Sequence, residues 1–237
     1  MSKRDLQKYL SKNPVNVPDS KQLRKVIIIS DSKGCLLEKG RETQIEKNIL
    51  FDCFPGRTTE QACQIVALNI NKYIDNYGQI LLLIWTFTCD FTDKVKSQLF
   101  LKNAEVDQVY YCRKIISTCR PYGDQVKIAF LEAPYMSLSI WNQVKSGALR
   151  DPFLADDHIL QEKIDQLNEE LQSINETNCI DIPKFALDMR KFRKSNKVSK
   201  SSKISFGLLY DGIHAESILN KYWLRRIVNV VIAKHCF

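Results

Sequence analysis

The nine residues QILLLIWTF, at positions 79–87, contain no charged side chain and are apolar on both faces of an extended chain. Such a run does not suit a half-solvated sheet, so it predicts a central strand of a parallel sheet covered on both sides. Around it, apolar runs alternate with helical patterns. KVIIIS (25–30) reads as a strand rich in β-branched residues, and NILFDCFPG (48–56) as a second, ended by Pro55 and Gly56. TTEQACQIVALNINKYIDNYG (58–78) spaces Ile65, Val66, Leu68, Tyr73 and Ile74 in a roughly helical pattern. Thr58 or Thr59 is placed to cap that helix, Glu60 or Gln61 lies in its first turn, and Gly78 sits at its end. A helix around 103–120, a strand in VKIAFLEAP (126–134) and a long amphipathic helix at 155–175 follow. NCIDIPKFAL (178–187) reads as a weaker strand limited by Pro183, and the chain closes on a helix in HAESILNKYWLRRIVNVVIAKH.

Alternating strands and helices imply right-handed crossovers and a parallel sheet with helices on both faces. The expectation is one α/β domain over residues 21–237, a three-layer α/β/α sandwich with a mostly parallel sheet of about five strands. Residues 1–20, ending in NPVNVPDS, read as an N-terminal arm or short helix. In such sheets ligands bind beyond the carboxyl ends of the strands. That expectation brings Ser32, Gly56, Asp90 and the loop after the last strand to one edge.

Composition narrows the class. With 44% hydrophobic and 26% charged residues the chain has ample material for a core. No apolar stretch approaches the roughly 20 residues that span a bilayer. The start, MSKRDLQKYLSKNPVNVPDS, lacks the apolar centre of a secretory signal, which predicts a cytoplasmic protein. Eight cysteines form no C-x-x-C pair and lie mostly in apolar runs, as reduced thiols do. With three scattered histidines they offer no zinc spacing, so no metal is expected.

The net charge of +8 is concentrated. RKFRKSNKVSKSSK (190–203) holds seven basic residues and no acidic one, including Lys194, Lys197, Lys200 and Lys203. Two readings stand: a solvated insertion, or an electrostatic footprint for nucleic acid. No aromatic stacking platform accompanies it, which favours the first.

Two short stretches carry chemistry. IIISDSKG (27–34) runs a strand into Ser32, either a turn residue or a nucleophile held at the top of the sheet. YDGIH (210–214) sets Asp211 and His214 three residues apart before the final helix. A hydroxyl is a poor nucleophile at neutral pH and needs a base, and the base needs a third group to orient it. His214 and Asp211 supply both roles from one loop, with Ser32 as the group activated. Taken singly, Asp-Gly is a common turn pair and a histidine entering a helix is an ordinary cap. Both stretches at one predicted sheet edge make the catalytic reading the sharper one.

These residues resemble the SGNH, or GDSL-type, hydrolases. IIISDSKG resembles the family's first block, FPGRTTEQ (54–61) its second, and LLYDGIHAES (208–217) its Asp-x-x-His block before the C-terminal helix. LLLIWTFTCDFT (81–92) falls where the third block, Gly-x-Asn-Asp, is expected. The resemblance runs from about residue 25 to the C-terminus. It implies a flavodoxin-like α/β/α fold, Ser32 as nucleophile and first oxyanion donor, Gly56 as second donor, and Asp211 and His214 completing the triad. It implies hydrolysis of an ester of a small acyl group, lipid or acylated sugar, without cofactor. The third block departs: Phe87 stands at the glycine position and Cys89 at the asparagine position, and a thiol is a weak donor. Thr88 fills the role if the loop is shifted by one residue. Two rivals are set beside the esterase: a catalytically weak or inactive module of this fold binding nucleic acid or protein through the basic stretch, and a divalent-ion site of Asp31, Asp90, Asp211 and His214. The stretch 135–153 is weighed as an acyl-pocket lining against ordinary helix packing.

Overall fold

The computed structural model describes residues 1–104, 106–192 and 202–237. In chain order the elements are α1 (Lys3–Lys12), β1 (Lys25–Ser30), α2 (Ser32–Lys39), α3 (Gln44–Lys47), β2 (Leu50–Cys53), α4 (Thr59–Tyr77) and β3 (Ile80–Trp85). Then come β4 (Thr92–Val95), β5 (Gln98–Leu101), α5 (Gln108–Cys119), β6 (Val126–Phe130), α6 (Leu138–Ser146) and α7 (Leu154–Thr177). The chain ends with α8 (Phe185–Met189), β7 (Arg190–Phe192), β8 (Ser202–Ile204) and α9 (Ser217–Ile227), continued by one π-helical turn.

Four strands make the central sheet, in the order β2-β1-β3-β6 and all parallel. Every residue of β3 is buried, as its unbroken apolar run requires. The order dictates the layers. From β1 the chain moves outward to β2 through α2, then back across β1 to β3 through α4, and onward to β6 through α5. Right-handed crossovers in opposite directions put α2 on one face and α4 with α5 on the other. α9 packs beside α2, and its Trp223 meets Trp85 of β3 and Phe185 of α8 at ring separations of 5.9 and 5.1 Å. α1 docks on α9, with Leu6 fully buried and Tyr9 edge-on to Tyr222.

Local signals set the boundaries. Thr58 caps α4 in a capping box with Gln61, and Gly78 ends it at a φ of 73°. Among the described residues the sheet has four strands where about five were expected, and 178–187 is the difference. Asn178–Lys184 is irregular and α8 begins at Phe185. Side chains have taken the place of a fifth strand. Asn175 on α7 accepts from the Phe130 N–H at 2.9 Å and donates to its C=O at 2.8 Å. Asn168 does the same for Ala133 at 2.8 and 2.9 Å. These amides satisfy the outer edge beyond β6, so there is no ladder left for 178–187 to join. Among the described residues, two antiparallel strand pairs, β4–β5 and β7–β8, lie outside the central sheet.

Candidate active site

At the end of β1 the backbone turns directly into α2. Ser30 Oγ donates to the Trp85 carbonyl at 2.7 Å and accepts from the Gly34 N–H at 3.2 Å, tying the turn to β3. Asp31 is the N-cap of α2 and accepts from the Lys33 N–H at 2.9 Å. Ser32 is therefore the first residue of the helix, where backbone N–H groups have no intrahelical acceptor and the helix dipole is positive. Gly34 lets the helix lie directly on the strands. A methyl group there would come within 2.4 Å of Cys53 Sγ and 2.5 Å of Ser30 Cβ.

The histidine arrives from the far end of the chain. Leu209 and Ala215 form an isolated bridge that closes the loop Tyr210–His214, and Tyr210 N–H donates to the His214 carbonyl at 3.0 Å. Within it the fully buried Asp211 accepts from the N–H groups of Ile213 (3.2 Å) and His214 (2.8 Å) through Oδ1. Its Oδ2 lies 2.8 Å from His214 Nδ1, and His214 Nε2 lies 2.9 Å from Ser32 Oγ. Burial acts to raise the Asp211 pKa, but the hydrogen bonds from the His214 ring and backbone outweigh it and hold the carboxyl below its ordinary value. Gly212, at a φ of 86°, presses against α6, where a Cβ would meet the Ser137 carbonyl at 2.8 Å. Ser137 is itself held by the buried Asp157, which accepts from the Ser137 and Ser139 hydroxyls at 2.8 and 2.6 Å.

Three side chains surround the histidine that motif reading did not single out. Tyr210 stacks on the imidazole at 5.6 Å with a 16° interplanar angle, and Trp141 of α6 tilts against it at 5.7 Å. Lys145, one turn beyond Trp141, sets its ammonium 3.4 Å from Asp211 Oδ2 and 5.1 Å from the Trp141 ring. The stretch 135–153 thus reaches the site through one face of α6.

The loops after β2 and β3 flank Ser32, because these strands pair with β1 on either side. Gly56 turns at a φ of 85° after β2, with open space where a Cβ would stand, so the dihedral rather than crowding calls for glycine. After β3, Thr88 accepts a hydrogen bond from the buried Lys33 ammonium, which also pairs with Asp31. Cys89 turns its thiol toward Asp31 Oδ2 at 4.0 Å, and burial pushes its pKa up to about 12. Asp90 accepts from both the N–H and the hydroxyl of Thr59, fastening this loop to the start of α4. Sequence reading passed over Lys33 and weighed Thr59 only as a helix cap; their partners Thr88 and Asp90 lie 55 and 31 positions away.

The groups weighed as a divalent-ion site do not converge. Asp31 pairs with Lys33, Asp90 with Thr59 and Asp211 with His214. No metal-holding cluster of three or more His, Cys, Asp or Glu occurs among the described residues. Of the basic stretch, Lys203 is exposed on β8, while Lys194, Lys197 and Lys200 lie outside the described residues. A cavity of about 870 Å³ opens between α5 and α7, and one of about 680 Å³ beside Arg190 and Lys203. Neither is lined by Ser32 or His214; within the triad Asp211 is fully buried and His214 is 15% exposed. No helix among the described residues is long and apolar enough to cross a membrane.

No family model and no curated protein matches the chain. Solved structures do. An assigned acylhydrolase from Bacteroides fragilis superposes with a TM-score of 0.57 at 16% identity, covering 96% of this chain and 95% of its own. A GDSL-like lipase from Bacteroides thetaiotaomicron gives 0.56 at 13% identity over 95% and 96%. An acetyl xylan esterase gives 0.52 at 12% identity over 85% and 96%. At such identities the likeness is one of architecture, and it spans nearly the whole of each chain. The protein has the fold of the SGNH, or GDSL-type, hydrolases.

Proposed function

We propose that this protein is a serine hydrolase that cleaves a carboxylic ester through an acyl-enzyme on Ser32. One observation carries the reading: Ser32 Oγ, the His214 ring and the Asp211 carboxylate stand in line at 2.9 and 2.8 Å, although Ser32 and His214 are 182 positions apart. In the first half-reaction Ser32 Oγ attacks the ester carbonyl carbon while its proton passes to His214 Nε2. Asp211, held ionised by its hydrogen bonds, keeps the imidazole proton on Nδ1 and stabilises the imidazolium that forms. The tetrahedral oxyanion forms at the start of α2, beside the N–H groups of Ser32 and Gly56. When the intermediate collapses, the C–O bond to the leaving alcohol breaks and His214 returns the proton to it. A water molecule, deprotonated by the same ring, then attacks the acyl-enzyme and releases the carboxylic acid.

Tyr210, 51% exposed, and Trp141 border His214 and supply contact for the leaving alcohol. The test is hydrolysis of short-chain aryl esters by the purified protein and by Ser32→Ala, at matched folding by circular dichroism. Turnover that Ser32→Ala abolishes supports the reading. Turnover that survives in Ser32→Ala overturns it, and absence of turnover in the parent favours a non-catalytic binding module.

A further inference from the structure

Lys33 is a buried cation that the mechanism above does not use. It follows the proposed nucleophile directly and is 4% exposed. A buried ammonium persists only where it is paired and hydrogen-bonded. Here it donates to Asp31 Oδ2 and to Thr88 Oγ1, and it lies 5.5 Å from the Trp85 ring centroid.

The direction of the bond to Thr88 is decisive. An ammonium only donates, whereas a hydroxyl has one proton to give and two lone pairs to receive with. Lys33 therefore fixes Thr88 as an acceptor on one side and leaves its single O–H proton for another partner. Among the described residues no protein acceptor takes that proton. Thr88 follows β3, whose last residue, Trp85, pairs with Ser30 of β1. Its loop thus emerges about one strand spacing, roughly 4.8 Å, from the segment that carries Ser32. The adjacent Cys89 is turned toward Asp31 instead.

We propose that Lys33 is a positioning residue: its ammonium orients and polarises the Thr88 hydroxyl as an oxyanion donor, filling the place of the third-block asparagine that Cys89 does not fill. The proposal rests on Ser32 being the nucleophile. A hydrogen bond accepted from a cation strengthens the one the same hydroxyl gives, since linked hydrogen bonds polarise one another.

The test is pre-steady-state acylation by p-nitrophenyl acetate in the full-length protein, comparing Thr88→Val, Thr88→Ser, Lys33→Met and the double variant Thr88→Val with Lys33→Met. Thr88→Val, which removes the hydroxyl at nearly constant volume, is expected to slow acylation about 10²–10³-fold with little change in KM. Thr88→Ser keeps the hydroxyl and is expected to stay within a fewfold of the parent. Lys33→Met should slow acylation as well, and the double variant should be no slower than the slower single one, as for residues acting as one unit. Unchanged acylation in Thr88→Val overturns the proposal while leaving Ser32 as nucleophile. Multiplicative losses in the double variant overturn it too, because Lys33 would then act apart from Thr88. A parent protein that is not acylated at all overturns both readings. Lys33→Met leaves Asp31 without its cation; should it fail to fold, the contrast between Thr88→Val and Thr88→Ser decides.

Discussion

At Asp211, two Oδ1 bonds from its own loop leave Oδ2 to hold the imidazole. Asp211→Asn keeps the loop but offers an amide where the ring needs an acceptor, so the wrong tautomer is favoured. By analogy with a serine protease, kcat is expected to fall about 10⁴-fold with the fold retained. An unchanged kcat would reduce Asp211 to a turn residue. Gly34 sets a second residue-scale expectation. Gly34→Ala forces a methyl group against Cys53 and Ser30, an overpacking worth about 1–3 kcal/mol, measurable by urea titration. Ser32, Asp211 and His214 were legible because each stands in a short motif next to an element boundary. Lys33 and Lys145 were not, since a lysine in sequence reads as solvated and only long-range packing reveals its carboxylate partner.

Among elements, the long apolar runs told most. β3 and the closing helix were legible because burial on this scale leaves few alternatives to their pattern. The β4–β5 hairpin was not: its strands are only four residues long, β4 is mostly polar, and its turn puts Lys96 at a φ of 55° where glycine or asparagine would have announced it. The edge beyond β6 was misread for a related reason, because a side-chain amide on α7 imitates the bonds of a strand. That substitution is testable. Asn175→Leu removes both bonds to Phe130 and leaves a buried N–H and C=O unpaired, at about 1–3 kcal/mol for each group. The expected loss of roughly 2–6 kcal/mol in unfolding free energy follows from the same range. A loss under about 1 kcal/mol would mean that water replaces the amide.

For the molecule as a whole, the strand order sets where the candidate site lies. Chain connections leave β1 and β3 toward opposite faces, which opens a crevice at their carboxyl ends, and Ser32 and Thr88 stand there. The whole molecule also carries a pH signature. Burial pushes the Glu132 pKa from 4.5 up to about 7, against a hydrogen bond from the Ala186 N–H that favours the charged form. Its pKa is raised by folding, so its contribution is fully present below pH 4.5 and lost as pH rises through 7. Glu132→Gln is expected to flatten that loss by on the order of 3 kcal/mol between pH 4.5 and 7. Identical pH profiles for the two proteins would contradict a raised pKa at the part-buried Glu132.

Covalent labelling measures directly whether Ser32 is an activated nucleophile. The purified protein is treated with a fluorophosphonate, and the adduct is read by intact mass and peptide mapping. One adduct per chain is expected, on the peptide containing Ser32, with labelling lost in Ser32→Ala and strongly slowed in His214→Ala. A folded protein that takes no label, or takes it on another residue, would contradict the account.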